Sequence, residues 1–242
     1  MSDASPIVTT ATSTAVVARL DDGGPNAVGF AVVAGLTAAV DQAAEAQVPL
    51  VIMGREGMFS AGFDLNVLND DVNAFADLVM TGAELLRHIV EAPVPVVLGV
   101  TGHAVAMGAL ITMAADYRIG AEGRFKIGLN EVAIGMTLPH FAMALAERRL
   151  SKRHFLRATT MAELHRPQAA CDVGYLDEVV APEGHKAAVM AKAEALSQLH
   201  RGAFAGTKAR ARGDLADALT EAIAQDRSGF QASQAAQASS SS

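Results

Sequence analysis

Two short apolar runs constrain this chain more than any other feature. Val48-Pro49-Leu50-Val51-Ile52-Met53 and Val94-Pro95-Val96-Val97-Leu98-Gly99-Val100 offer no polar side chain to water, which is the pattern of strands buried on both faces. Each follows a segment with apolar residues at helical spacing. Phe30, Val33, Leu36, Val40 and Ala44 predict an amphipathic helix over roughly 29–46, and Phe75, Leu78, Val79, Leu85, Leu86 and Ile89 predict another. Strand alternating with helix implies an α/β layout with crossover connections.

The flanking segments read less sharply. Ile7 to Leu20 is rich in Val and Thr and predicts one or two strands, ended by the turn residues of 21–26. A helix is expected over 107–115, short strands near 116–120 and 125–127, and two helices within 139–159. Beyond Pro182 the chain turns Ala-rich and reads as helix. There Leu215, Leu219 and Ile223, with Phe204 upstream, make an apolar stripe that needs the chain's own core or a neighbouring subunit to cover it. Residues 231–242 are Ala, Gln and Ser only and are expected to lack order.

Composition removes several classes of function. In 242 residues, 19 Lys and Arg against 26 Asp and Glu leave a net charge of −7, which opposes the basic face that nucleic-acid binding requires. Trp is absent and there are two Tyr, so stacking platforms for single strands are not expected. The single cysteine, Cys171, forbids an internal disulfide, and no His, Asp or Glu set has the spacing of a metal site. Met1 to Pro6 lack the basic-then-apolar order of a signal peptide, and the apolar stretch over 104–115 is too short to cross a bilayer. A cytoplasmic protein with no nucleic-acid or membrane partner is expected.

Chemistry enters at Phe59-Ser60-Ala61-Gly62-Phe63-Asp64-Leu65. Small side chains at 60–62 let a ligand approach the main chain, whose amides can hold a developing negative oxygen. The same residues also read as a glycine turn with Asp64 capping a helix. The segment resembles the crotonase, or enoyl-CoA hydratase/isomerase, superfamily, and the resemblance continues in order along the chain. Pro25-Asn26-Ala27 resembles that family's early turn, and 95–104 resembles the approach to its second glycine-rich loop. Phe125 to Gly135 resembles its catalytic-glutamate segment, and Gly174-Tyr175-Leu176-Asp177-Glu178-Val179-Val180 resembles its closing motif of glycine, leucine or valine, then V-x-x-V-V.

The resemblance implies a crotonase-like spiral of ββα units over 1–182, a helical C-terminal region over 183–230, and a homotrimer or homohexamer. It implies an acyl-CoA or enoyl-CoA thioester as partner, with no cofactor beyond the coenzyme A that the substrate carries. The thioester oxygen would sit between the backbone N–H groups of Phe63 and Met107, with Ala61, Gly62, Gly108 and Leu110 lining the substrate. Lys208, in the basic stretch 207–212, would meet the coenzyme.

Two departures from the family pattern bear on the reaction. The usual glycine triplet reads Ala106-Met107-Gly108, so a methionine either narrows the thioester site or packs into the core. Leu110, one helical turn on, stands where hydratases of the family carry one of two glutamates; leucine cannot move a proton. Glu131 stands at the other glutamate position, in a stretch resembling the 3-enoyl-CoA to 2-enoyl-CoA isomerases, which keep that glutamate alone. One carboxylate is sufficient for a 1,3-proton shift, and burial beside Ile134 would raise its pKa. The leading reading is therefore an isomerase with Glu131 as acid/base. A hydratase or thioester hydrolase in which Glu131 orients water, and an idle acyl-CoA binder, are the alternatives. His103, His140 and Cys171 read as structural, and Ser60 lacks the surroundings of a nucleophile elbow.

Overall fold

In the computed structural model, which describes residues 6–240 with side chains to 236, the two apolar runs become β3 (Leu50–Met53) and β5 (Val96–Val100). They form the centre of a six-stranded sheet of order β1-β2-β3-β5-β7-β9, and every residue in both is buried. The edge hairpin β1 (Ile7–Ala11) and β2 (Val16–Leu20) is antiparallel; from β2 onward, through β7 (Tyr117–Ala121) to β9 (Glu178–Val180), neighbours run parallel. Parallel neighbours need long returns, and the helices α1 (Phe30–Ala46) and α3 (Val72–Glu91) supply two of them, with the short α2 (Leu65–Asp70) before α3.

A second sheet lies beyond the first. β4 (Gly57–Ser60), β6 (Gly102–Val105) and β8 (Ile127–Gly128) run parallel in that order. Each directly follows a strand of the large sheet, and helices follow in turn: α2 and α3 after β4, α4 (Met107–Ala114) after β6, and α5 (His140–Arg149) after β8. This is the ββα spiral that the sequence motifs imply. The bends between sheets leave no room for side chains. A Cβ on Gly54 would run into the Met58 carbonyl and Phe59 Cα, and one on Gly102 would overlap the backbone of Gly57.

The remainder is helical apart from β9: α6 (Phe155–Thr159), α7 (Pro167–Val173), α8 (Pro182–Ser197) and α9 (Arg201–Ser240). Helix α8 covers the outer face of the large sheet, with Val189 and Ala193 against Val51, Met53, Val97 and Ile119. Helix α9 packs along α3 and α5. Leu215, Leu219 and Ile223 are buried in the main core, so the apolar stripe is covered by the chain itself, not by a neighbouring subunit. The segment expected to lack order from 231 onward continues α9 as far as Ser240. Residues 1–5 and 241–242, on which the leader reading and the end of that tail fall, lie outside the described residues.

Polar contacts fix α9 in place. Asp226 accepts hydrogen bonds from the amides of His140 and Phe141, both at 3.0 Å, and so caps α5, whose own N-cap residue Pro139 has no side-chain acceptor. Lys208 is buried, with Nζ 2.7 Å from Asp116 and donating to the Val94 carbonyl at 3.1 Å. Arg212 lies 3.1 Å from the same aspartate and donates to the Ala114 and Ala115 carbonyls at the end of α4, where Arg149 also donates to Met113 and Ala115. This corrects the reading of Lys208 as a coenzyme contact. Asp116 and the open carbonyls of α4 draw the cationic side of α9 inward, and nothing of the ammonium is left for a phosphate.

Replacing Asp116 with Asn strands two interior cations. Asp116→Asn is expected to cost about 3–5 kcal/mol of stability, read as a lowered urea midpoint with unchanged slope.

Candidate active site

Because β4, β6 and β8 are parallel neighbours, their C-terminal ends open side by side and deliver three loops to one place. The first, over 60–64, is held by the turn before α1. Asn26 is fully enclosed with φ +51°, and its Nδ2 donates to the carbonyls of Leu20, Met58 and Phe59 at 3.1–3.2 Å. The Ala61 amide donates to Pro25, the Val28 amide to Gly62, and the Asp64 amide to Val28. Asp64 itself caps α2, accepting from the Asn66 amide at 3.0 Å, so the capping reading and the ligand-loop reading describe the same loop.

The second loop meets the first at Gly62. That residue has φ +108°, and a Cβ on it would lie 2.8 Å from the Ala106 Cβ and 3.7 Å from the Met107 nitrogen. Among the described residues, neither the Phe63 nor the Met107 N–H donates to a protein acceptor, which leaves two adjoining donors unengaged. Met107 is the first residue of α4, where the helix dipole adds to its donor strength. Ala106 holds φ +50° and ψ −122°, a glycine-like conformation that strains an alanine by about 1–3 kcal/mol.

The side chains beyond these amides turn away from the loops. A Cβ on Gly82 of α3 would meet the Phe63 ring at 2.7 Å and the Met107 methyl at 3.2 Å, and the Phe63 ring stands edge-on to Phe75. Met107 is fully buried, so its side chain packs into the core. Gly108 is likewise enclosed: a Cβ there would come within 2.6 Å of the Ser60 carbonyl. It serves as a spacing glycine that lets α4 approach β4. Ala61 is exposed beside these donors, and Leu110 is buried in α4.

The third loop carries Glu131. Its strand is tied to the second loop where the Ala106 amide donates to the Gly128 carbonyl at 3.1 Å. Glu131 is 9% exposed and makes no side-chain hydrogen bond; Oε2 is fully enclosed, whereas Oε1 is not. Burial raises its pKa, opposed in part by the amides of Glu131 and Asn130. Ile134 does not supply that burial, being 52% exposed on the 3-10 turn after the loop. His103 accepts from the Lys126 amide and stands edge-on to Phe125, and Cys171 donates weakly to the Pro167 carbonyl, so both are held by local contacts. His140 is exposed at the head of α5. Asn26 is the site-building residue whose role the sequence conceals, since two of its three carbonyl partners, Met58 and Phe59, lie 32 and 33 positions away.

Gly62→Ala meets both the Ala106 Cβ and a disfavoured φ. It is expected to lose about 1–3 kcal/mol of stability in thermal unfolding.

The model of the family described as enoyl-CoA hydratase/isomerase matches residues 11–242. The chain is 33% identical over 131 residues to the mitochondrial enoyl-CoA delta isomerase 1 of Homo sapiens, covering 53% of this chain and 43% of that protein. It thus spans less than half the length of that curated relative. A solved enoyl-CoA hydratase/isomerase family protein from Pseudomonas syringae superposes with a TM-score of 0.90 at 37% identity, covering 93% of this chain and 98% of the other. A Mycobacterium tuberculosis protein, described once as an enoyl-CoA isomerase and once as a probable enoyl-CoA hydratase, superposes at 0.88 and 0.90 with 36% and 35% identity, over 93% and 96% of this chain and 98% and 99% of the other. With its ββα spiral and the match across nearly its whole length, this chain belongs to the enoyl-CoA hydratase/isomerase family.

Proposed function

We propose that this chain is an enoyl-CoA isomerase that moves a double bond from C3 to C2 of an acyl-CoA thioester, with Glu131 as its acid/base. One arrangement carries the reading. A desolvated carboxylate and two unengaged amides end neighbouring strands, and the enclosed Leu110 stands where a second carboxylate would be needed to add water in the family's usual way. The similarity to isomerases supports it further.

The steps follow from the chemistry of the thioester. Glu131 Oε1 takes a proton from C2, and the C–H electron pair forms the C1–C2 double bond as the carbonyl oxygen becomes negative. The Phe63 and Met107 N–H groups hold that oxygen, which is where charge develops in the transition state. The carbonyl then reforms, the π pairs shift to place the double bond between C2 and C3, and C4 takes the proton back from Glu131. No water enters and none leaves.

Incubation with 3-enoyl-CoA in deuterated water, followed by mass analysis, tests the reading. Isomerase action gives 2-enoyl-CoA with deuterium at most at C2 or C4. An added water mass would indicate a hydratase, free acid a thioester hydrolase, and unchanged substrate an idle binder. The resemblance also implies a trimer or hexamer, which light scattering on the purified chain decides.

Glu131→Gln keeps the shape but accepts no proton at neutral pH. It is expected to reduce turnover by at least about a hundredfold with acyl-CoA affinity nearly unchanged. The active form is the carboxylate, so activity falls as pH falls through the folded-state pKa. Because burial raises that pKa, the acid limb of kcat/KM is expected above the ordinary carboxylate range.

A further inference from the structure

Among the described residues, four buried side-chain polar atoms find no hydrogen-bond partner: Asn130 Oδ1, Glu131 Oε2, His165 Nε2 and Tyr175 Oη. They are grouped, not scattered. Asn130 and Glu131 adjoin in the third loop. Tyr175 lies within electrostatic reach of Glu131 and beside the Leu129 amide. The His165 ring stands 6.1 Å from the Tyr175 ring, and its backbone pairs with Ile127 at the start of β8. An enclosed polar atom left unpaired costs about 1–3 kcal/mol, so a carboxylate oxygen with three more such atoms around it is a large concession unless something polar joins them.

The backbone around Tyr175 is firmly held. Its amide donates to the Ala170 carbonyl at 2.9 Å, Gly174 before it has φ +107°, and Arg118 grips both the Gly174 carbonyl and the Asp177 carboxylate. The phenol is fully buried, and burial together with the Glu131 charge pushes its pKa upward, so it remains an O–H donor. In the closing motif this position is leucine or valine, either of which would fill the volume without offering a donor.

We propose that Tyr175 is a positioning residue for Glu131, its phenol donating through one bridging water to Oε2 and so leaving Oε1 to exchange protons with the substrate. Both atoms are enclosed, and neither the Tyr175 O–H nor Glu131 Oε2 forms a hydrogen bond with the other among the described residues. A water joining Glu131 Oε2 and Tyr175 Oη would have the two contacts that buried water needs at the least. A donor on Oε2 favours the charged carboxylate and counters its desolvation. It also fixes the rotamer, so that one oxygen serves both C2 and C4. This inference rests on Glu131 being the base.

The test follows Glu131 ionisation directly, through the infrared band of its protonated carboxyl, assigned by its loss in Glu131→Gln. In full-length Tyr175→Phe the midpoint is expected to rise by about one pH unit, a tenfold loss of charged base. The kcat/KM on 3-enoyl-CoA is expected to fall mainly at the acid end, with KM unchanged. A second arm labels the protein with 3-fluorotyrosine in a Tyr117→Phe background, so that Tyr175 is the one modified phenol and a stronger donor; there the midpoint is expected to move down. An unchanged midpoint in either arm overturns the proposal. If Tyr175→Phe fails to fold, the fluorotyrosine arm decides. If Glu131→Gln keeps its turnover, the isomerase reading falls, while the infrared titration still decides whether Tyr175 acts on Glu131.

Discussion

At Gly54 and Gly102 the chain leaves the six-stranded sheet for the three-stranded one, passing so close to the strand beside it that no Cβ fits. This close passage determines where everything functional lies. It sets β4, β6 and β8 beside one another, and their shared direction opens all three C-terminal ends on one side. The two unengaged amides and Glu131 therefore meet because of strand order, not because of any local preference of the loops. A side chain at either bend would part the sheets and scatter three loops at once.

Strain and unpaired polarity gather where those loops converge. Ala106 holds a glycine-like backbone, Glu131 lacks a partner, and the Phe63 and Met107 amides lack acceptors. Elsewhere the same chain satisfies its polar groups with care: Asp226 caps a helix that has no cap of its own, and Asp116 holds two cations. The contrast is physical. Groups paired within the protein cannot respond to a ligand, and those left unpaired carry a free-energy cost that a negatively charged oxygen or a proton can relieve.

The sequence made some of this legible and hid the rest. β3 and β5 stood out because burial on both faces leaves an unbroken apolar run, and α1 and α3 because one buried face imposes a period. β4, β6 and β8 did not stand out as a second sheet. They are two to four residues long, and β4 and β6 each open on a glycine. Phe63, Met107 and Glu131 are singled out by motifs alone, since an amide donor leaves no trace in side-chain chemistry. Lys208 was misread because its partner is 92 positions away, and a cation on a helix looks solvated until that partner is known. The low-complexity stretch after 230 gave no sign that α9 continues through it.

The way α9 is anchored has a consequence in time. During synthesis Asp116 emerges long before Lys208 and Arg212, and the amides of His140 and Phe141 emerge long before Asp226. Until then the carboxylate and the helix end must stay in water, because sealing either without its partner costs several kcal/mol. The spiral around the three loops can therefore form early but cannot close, and the arrival of α9 is the event that dries its interior. A ribosome-bound chain halted before α9 would keep this region of its interior accessible to solvent exchange, however complete its sheets.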